Sequence, residues 1–151
     1  MRRKEKEIQE MAAIEAVIRR AQVCRLAMCQ DGQPYVVPLN FGYADKTVYI
    51  HCAKEGRKLD MIAANDRVCF EVDLDHGMEP ADKACQFGFR FKSVIGFGRA
   101  QILKDHDSIE KALKILMAHY SKGEFSFTPE ETKGVYVIKV ELDELSGKQG
   151  G

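Results

Sequence analysis

Several signatures are missing from this 151-residue chain, and each absence excludes something. No apolar run approaches the roughly 18 residues that suggest a membrane span. The opening stretch, MRRKEKEIQE, is charged and no apolar signal core follows it, so the expectation is a cytoplasmic protein. Charge of one sign is not in excess: 23 Lys and Arg balance 23 Asp and Glu. That argues against broad electrostatic binding of nucleic acid or membrane and leaves only local basic patches. The five cysteines (Cys24, Cys29, Cys52, Cys69 and Cys85) contain no C-x-x-C, and no His or Cys pair has metal-ligand spacing. No metal is expected. Most of these cysteines sit in apolar strand-like stretches, where a free cysteine in a cytosolic chain reads as a small buried hydrophobe rather than part of a redox framework. Neither a G-x-x-x-x-G-K-[ST] loop nor a strand-linked G-x-G-x-x-G is present, so an NTP on a P-loop and a dinucleotide on a Rossmann unit are disfavoured. No Ser-His-Asp or Cys-His constellation is legible, and there are no repeats.

What the chain does contain is alternation. After EKEIQEMAAIEAVIRRA (5–21), whose Ile8, Met11, Ile14 and Ile18 predict an amphipathic helix, short strands follow one another. CRLAMC and YVVPLNFGY flank an Asp-Gly turn. Pro38 cannot donate to a ladder, which predicts an edge or a bulge there. TVYIHCA, RVCFEVDL, the long FGFRFKSVIGFGRAQIL and GVYVIKVEL complete the set. Gly96 and Gly98 predict a bulge, a bend or close backbone approach. Residues 75–86 read as a loop and 146–151 as a frayed tail. DSIEKALKILMAHYSKG is a second amphipathic helix, with Ser108 as its cap and Ile109, Leu113, Leu116 and Met117 as its stripe. Five or six turn-linked strands with few helices predict a mainly β (α+β) fold, a small antiparallel barrel. At this length, residues 1–151 are expected to form a single domain.

Candidate chemistry gathers in YIHCAKEGRKLD (49–60). Lys54, Arg57 and Lys58 crowd the start of a short helix, where backbone N–H groups already carry partial positive charge. Two readings stand: a solvated basic turn whose charges find Glu55 and Asp60, or a phosphate receptor. His51 ends the preceding strand as either a structural residue or a proton-transfer group. In PLNFG (38–42), Pro38 frees a ladder position and Asn40 offers a donor and an acceptor for a flat heterocycle. An ordinary edge bulge is the other reading.

VVPLNFGY, VYIHCAKEGRKLDMIAANDRVCFEVD and FRFKSVIGFGRA, in this order across roughly residues 20–120, resemble the flavin-binding split-barrel proteins related to pyridoxamine phosphate oxidase. Within them the chain is most similar to the nitroimidazole-resistance (Nim-like) branch. The resemblance implies a six-stranded antiparallel split β-barrel with flanking helices, forming a homodimer with FMN at the subunit interface. By position it assigns Arg57 and Lys58 to the FMN phosphate, with Lys54 and Ala53 beside them. It places Pro38, Leu39, Asn40 and Phe41 along the isoalloxazine, and His51 and Cys52 beneath it. Ser93 and Val94 become the segment offered by the partner subunit. His51 is further implied as a proton donor.

Two departures qualify the resemblance. Asn65-Asp66-Arg67 stands where the family often has Asn-Pro-Arg, and the arginine-rich C-terminal motif of true pyridoxamine phosphate oxidases is missing. Vitamin B6 oxidation is therefore disfavoured. The expectation is an FMN-dependent oxidoreductase reducing nitroaromatic or quinone-like acceptors with electrons from NAD(P)H. The rival is a protein that binds flavin or haem without turnover.

Overall fold

The computed structural model describes residues 3–151. Its centre is one antiparallel sheet with strand order β3-β2-β6-β7-β8-β5-β4. These strands are β2 (Cys24–Gln30), β3 (Gln33–Leu39), β4 (Gly42–Ala44), β5 (Thr47–Cys52), β6 (Arg67–Glu79), β7 (Gly88–Leu103) and β8 (Tyr136–Gly150). A short β1 (Glu7–Ile8) adds to β8. The sheet curls around its core but does not close: β3 and β4 are its two free ends, and the chain joins them directly through Asn40 and Phe41. This is a split β-barrel.

The strand count rises from the expected six to eight for two reasons. The stretch 35–43 divides, because the chain leaves β2 after Leu39 and pairs with β5 from Gly42 onward. Gly42 stands where the chain changes partner. A Cβ there would lie 2.5 Å from the Leu116 Cα, so only glycine lets the covering helix approach. The other addition is β1, which takes residues expected to open the first helix. Ile8 packs into the core beside Gly147, and this pairing prevails over helical spacing. The helix α1 is therefore Met11–Arg20, with Ile14, Val17 and Ile18 buried.

Local chemistry holds in the turns. Asp31 and Gly32 both adopt positive φ, as a two-residue hairpin of right-handed strands requires. Pro38 lies on the edge strand β3, and the β7–β8 register shifts between Phe97 and Gly98, where a Cβ would collide with the Glu141 carbonyl oxygen. Composition misleads at the polar ends. The expected loop at 75–86 is shorter than that: β6 runs on to Glu79 past an irregularity at 74–77, where Asp75 takes φ 60°, and only 80–86 connects the strands, with one 3-10 turn at Ala84–Gln86. The tail at 146–151, expected to fray, instead carries β8 to Gly150, with Gly147 paired to both Ile8 and Val94.

The barrel interior is filled by Leu26, Val48, Ile50, Phe70, Val72, Val94, Ile138 and Val140. The helix α3 (His106–Tyr120) covers the outside of β4 and β5, burying Ile109, Ala112 and Leu116. Its cap is Asp105 rather than Ser108: the Asp105 carboxylate accepts from the Ser108 N–H at 2.9 Å. That bond holds the Asp105 carboxyl below its usual range. A single-turn α4 (Pro129–Thr132) begins with a capping box between Thr128 and Glu131. Among the described residues no helix is long and apolar enough to cross a membrane.

Candidate functional site

The helix α2 (Arg57–Ala64) is fixed by Leu59, Met61 and Ile62, which are buried. It starts from Gly56 at φ 131°, a conformation that demands glycine although space around its Cα is open. No side chain caps this end. The first N–H groups of a helix lack intrahelical partners, so an uncapped start offers donors and partial positive charge outward. Arg57 and Lys58 are its first two residues. Among the described residues neither forms an ion pair, so Glu55 and Asp60 do not neutralise them.

Above this end lies a small cleft of about 110 Å³ lined by Tyr35, Cys52, Ala53, Glu55, Gly56, Arg57, Lys58 and Leu59. The Arg57 guanidinium carbon rests 4.4 Å from the centroid of the Tyr35 ring. Lys54 does not join the cleft. Its ammonium donates to the Lys133 carbonyl at 3.3 Å and sits 5.3 Å from the Tyr136 ring centroid. Cys52 does line the cleft, but its thiol is within hydrogen-bond distance of the Tyr136 carbonyl, 3.6 Å away. Burial pushes this thiol's pKa up, against the opposing pull of Lys58.

His51 is exposed and leaves β5 on the side opposite Cys52, since neighbouring strand residues point to opposite faces. It shares its face with Tyr49 and Val137, where α3 packs, and does not line the cleft. The β4–β5 ladder begins at the Gly42–Tyr49 pair, so Ile50, His51 and Cys52 run past the end of β4, and Asn40 lies in the corner before it. Asn40 is exposed and Leu39 half-buried, while Pro38 projects outward opposite Arg25. Phe41 is fully enclosed, with its ring centroid 5.5 Å from Phe70 and 4.5 Å from His119. Its N–H donates to the Tyr120 hydroxyl, so neither side chain nor amide is free for a ligand.

Ser93 and Val94 stand apart from this cleft within the chain. Val94 is buried in the barrel, and Ser93 faces outward between Asp73 and Lys148. Around Ser93 the outer face carries a row set by register, Val36–Ala27–Cys69–Phe97, with Val36 59% and Phe97 43% exposed. The next row holds Arg25, Glu71 and Ile95. There Arg25 contacts both Glu71 and Asp73, and burial together with Asp73 raises the Glu71 pKa despite Arg25.

Sequence reasoning missed two contributors. Tyr35 shares the inward parity of Val37 and Leu39 on β3, a signal available from alternation alone. Tyr120 closes the corner after Asn40: its hydroxyl accepts from Phe41 and donates to the Gln22 carbonyl at 2.7 Å. Nothing in the local sequence points to that long-range bond.

The family model described as Pyridoxamine 5'-phosphate oxidase matches residues 10–149. A crystal structure from Bacteroides thetaiotaomicron, of a protein provisionally named a 5-nitroimidazole antibiotic resistance protein, is 34% identical with a TM-score of 0.86. That match covers 96% of this chain and 87% of the other. An FAD-binding protein from Mesorhizobium loti is 27% identical at a TM-score of 0.67, covering 94% of this chain and 96% of that one. An FAD and heme binding protein from Mycobacterium smegmatis shares the fold, with a TM-score of 0.86 at 20% identity, over 95% of this chain and 73% of its own.

Proposed function

The chain belongs to the pyridoxamine 5'-phosphate oxidase family, and on that premise we propose that it binds FMN by its phosphate at the start of α2 and works as an oxidoreductase. The observation that carries this reading is the uncapped α2 terminus with two unpaired cations facing one small cleft. The cleft is of a size for a phosphoryl group, and its two cations outnumber the one carboxylate lining it, Glu55. At about 110 Å³ it falls well below the roughly 300–1,000 Å³ of pockets that enclose a whole ligand. Arg57 and Lys58 would hold the dianion by charge-assisted hydrogen bonds, and the α2 amides would add donors.

The ring would then lie outside the cleft, along the open edge towards Asn40 and His51. A ring so placed leaves a face for a second subunit, which supports a homodimer in which the outward Ser93 of a second copy completes the site; the Val94 side chain is buried and takes no part. The outward row of Val36, Cys69 and Phe97 is the apolar surface such a dimer would bury. When bound, FMN supplies the hydride and electron chemistry. The chain's own part is to bind, orient and move a proton. Asn40 offers both donor and acceptor to a heterocycle edge. His51, exposed at the end of β5, is the proton donor of this reading. Acceptors of the nitroaromatic or quinone-like class, with NAD(P)H as donor, fit a ring open to solvent.

Titration of the purified protein with FMN and with riboflavin tests the phosphate assignment, and FMN is expected to bind at least about 100-fold tighter. Equal affinities would end it. Adding NADPH anaerobically is expected to bleach the flavin bands, which are restored on adding nitroaromatic or quinone. Bands that persist indicate a flavin carrier without turnover, and a Soret band with no flavin absorbance indicates haem binding.

His51→Gln is expected to leave FMN affinity nearly unchanged while slowing acceptor reduction about 100-fold, the lower end of general-acid contributions. An unchanged rate would remove His51 from the chemistry.

A further inference from the structure

The two cations at the start of α2 differ in what holds them. Arg57 is exposed and has no carboxylate partner among the described residues. A free arginine at that position would sample many rotamers and lose that freedom on binding an anion. In this chain its guanidinium lies over the face of Tyr35 instead, 4.4 Å from the ring centroid.

Tyr35 is a firm platform. It stands on β3 opposite Met28, which is 3% exposed, and its body packs against the barrel core in line with Val37 and Leu39. Tyr35 and Arg57 both line the cleft, so the stacked pair spans from the free edge strand to the helix terminus. A guanidinium resting on an aromatic face keeps its N–H edges available for bidentate contact with phosphate, which a lysine ammonium in its place would not do.

We infer that Tyr35 is a positioning residue of the anion site: it holds the Arg57 guanidinium over the α2 terminus and so sets the preference for a phosphorylated ligand over its dephosphorylated form. This inference rests on the phosphate reading of the cleft. It assigns a function to an edge-strand residue that the Arg-Lys pair alone does not require.

The test compares FMN and riboflavin affinities, by flavin fluorescence quenching, in Tyr35→Leu, Tyr35→Phe and Arg57→Ala. Tyr35→Leu is expected to weaken FMN binding about threefold to thirtyfold, the range of cation–π contributions, and riboflavin binding by less than about twofold. Tyr35→Phe keeps the ring face and is expected to restore most of the preference. In the Tyr35→Leu, Arg57→Ala double variant the two losses should fall short of additivity, because both act through one guanidinium. Tyr35→Met serves as the second apolar replacement should the leucine variant fold poorly.

The outcomes separate the two levels. If Arg57→Ala leaves the FMN-to-riboflavin ratio unchanged, the phosphate reading of the cleft fails. If Arg57→Ala lowers the ratio but Tyr35→Leu and Tyr35→Met do not, the positioning role fails and the phosphate reading stands. Equal losses for FMN and riboflavin in the Tyr35 variants, or additive losses in the double variant, would also overturn the positioning role.

Discussion

Replacing Arg57 and Lys58 together by alanine is expected to weaken FMN binding about 10²- to 10⁴-fold and to change riboflavin binding little. Each hydrogen bond to a charged group contributes about 1.5–3 kcal/mol, and two such contacts together give about 3–6 kcal/mol, or two to four decades. The same variant carries a second signature, in the ligand-free protein. Cations in the first turn of a helix are disfavoured by about 0.3–1 kcal/mol each where no anion offsets them. Among the described residues no acidic side chain pairs with either one. The Arg57 contact with the Tyr35 ring, of similar size and opposite sign, is lost at the same time, so removing both cations should leave the ligand-free protein about as stable as before. Thermal unfolding with and without FMN reads both effects: the melting temperature without ligand holds, and its increase on adding FMN disappears. A double variant that still prefers FMN over riboflavin would place the phosphate elsewhere. A ligand-free protein that is strongly destabilised would show that the pair serves the fold.

That cation pair is legible in the amino-acid sequence alone, because Gly-Arg-Lys at a helix start conflicts with the helix dipole. Other features are legible for similar local reasons. Asp31-Gly32 prescribes its own turn, Pro38 prescribes an edge, and Gly98 prescribes an irregular ladder. The features that escape depend on distant partners. β8 reaches Gly150 because β7 and β1 pair with a stretch whose composition alone predicts fraying. The strand β6 continues beyond Leu74 because β7 resumes pairing at Gly77, and Asp75 accepts an unusual φ between the two registers. Within the site, the family resemblance groups His51 with Cys52, although adjacent residues of a strand face opposite ways. Strand parity separates them: Cys52 turns towards the cleft, and His51 emerges on the face that α3 covers. Parity also points inward at Tyr35, while the enclosure of Phe41 needs α3, whose His119 and Tyr120 come from 78 and 79 residues further along the chain.

Phe41 in turn depends on Phe70, and the largest expected loss of stability follows from it. Phe70→Ala should destabilise the fold by about 3–5 kcal/mol, the range for deleting a fully enclosed aromatic side chain. Phe70 has no exposed surface, stands on β6 between Leu26 and Gly96, and meets Phe41 edge to face at a 5.5 Å centroid separation. Little can move to fill the space. Gly96 has no side chain, Leu26 is itself fully buried, and Phe41 is held by its amide bond to Tyr120. Against a total stability of roughly 5–15 kcal/mol, this loss lowers the melting temperature by about 6–20 °C. Phe125→Ala is the matched control, since that ring lies in the loop after α3 and is 37% exposed. Its removal should cost about 1 kcal/mol or less. Chemical denaturation of both variants at equal protein concentration decides the matter, with the midpoint shifting and the slope retained for Phe70→Ala. If the two variants lose the same small amount, the barrel centre is softer than its packing implies. The corner that carries Asn40 would then not be braced through Phe41 and Phe70.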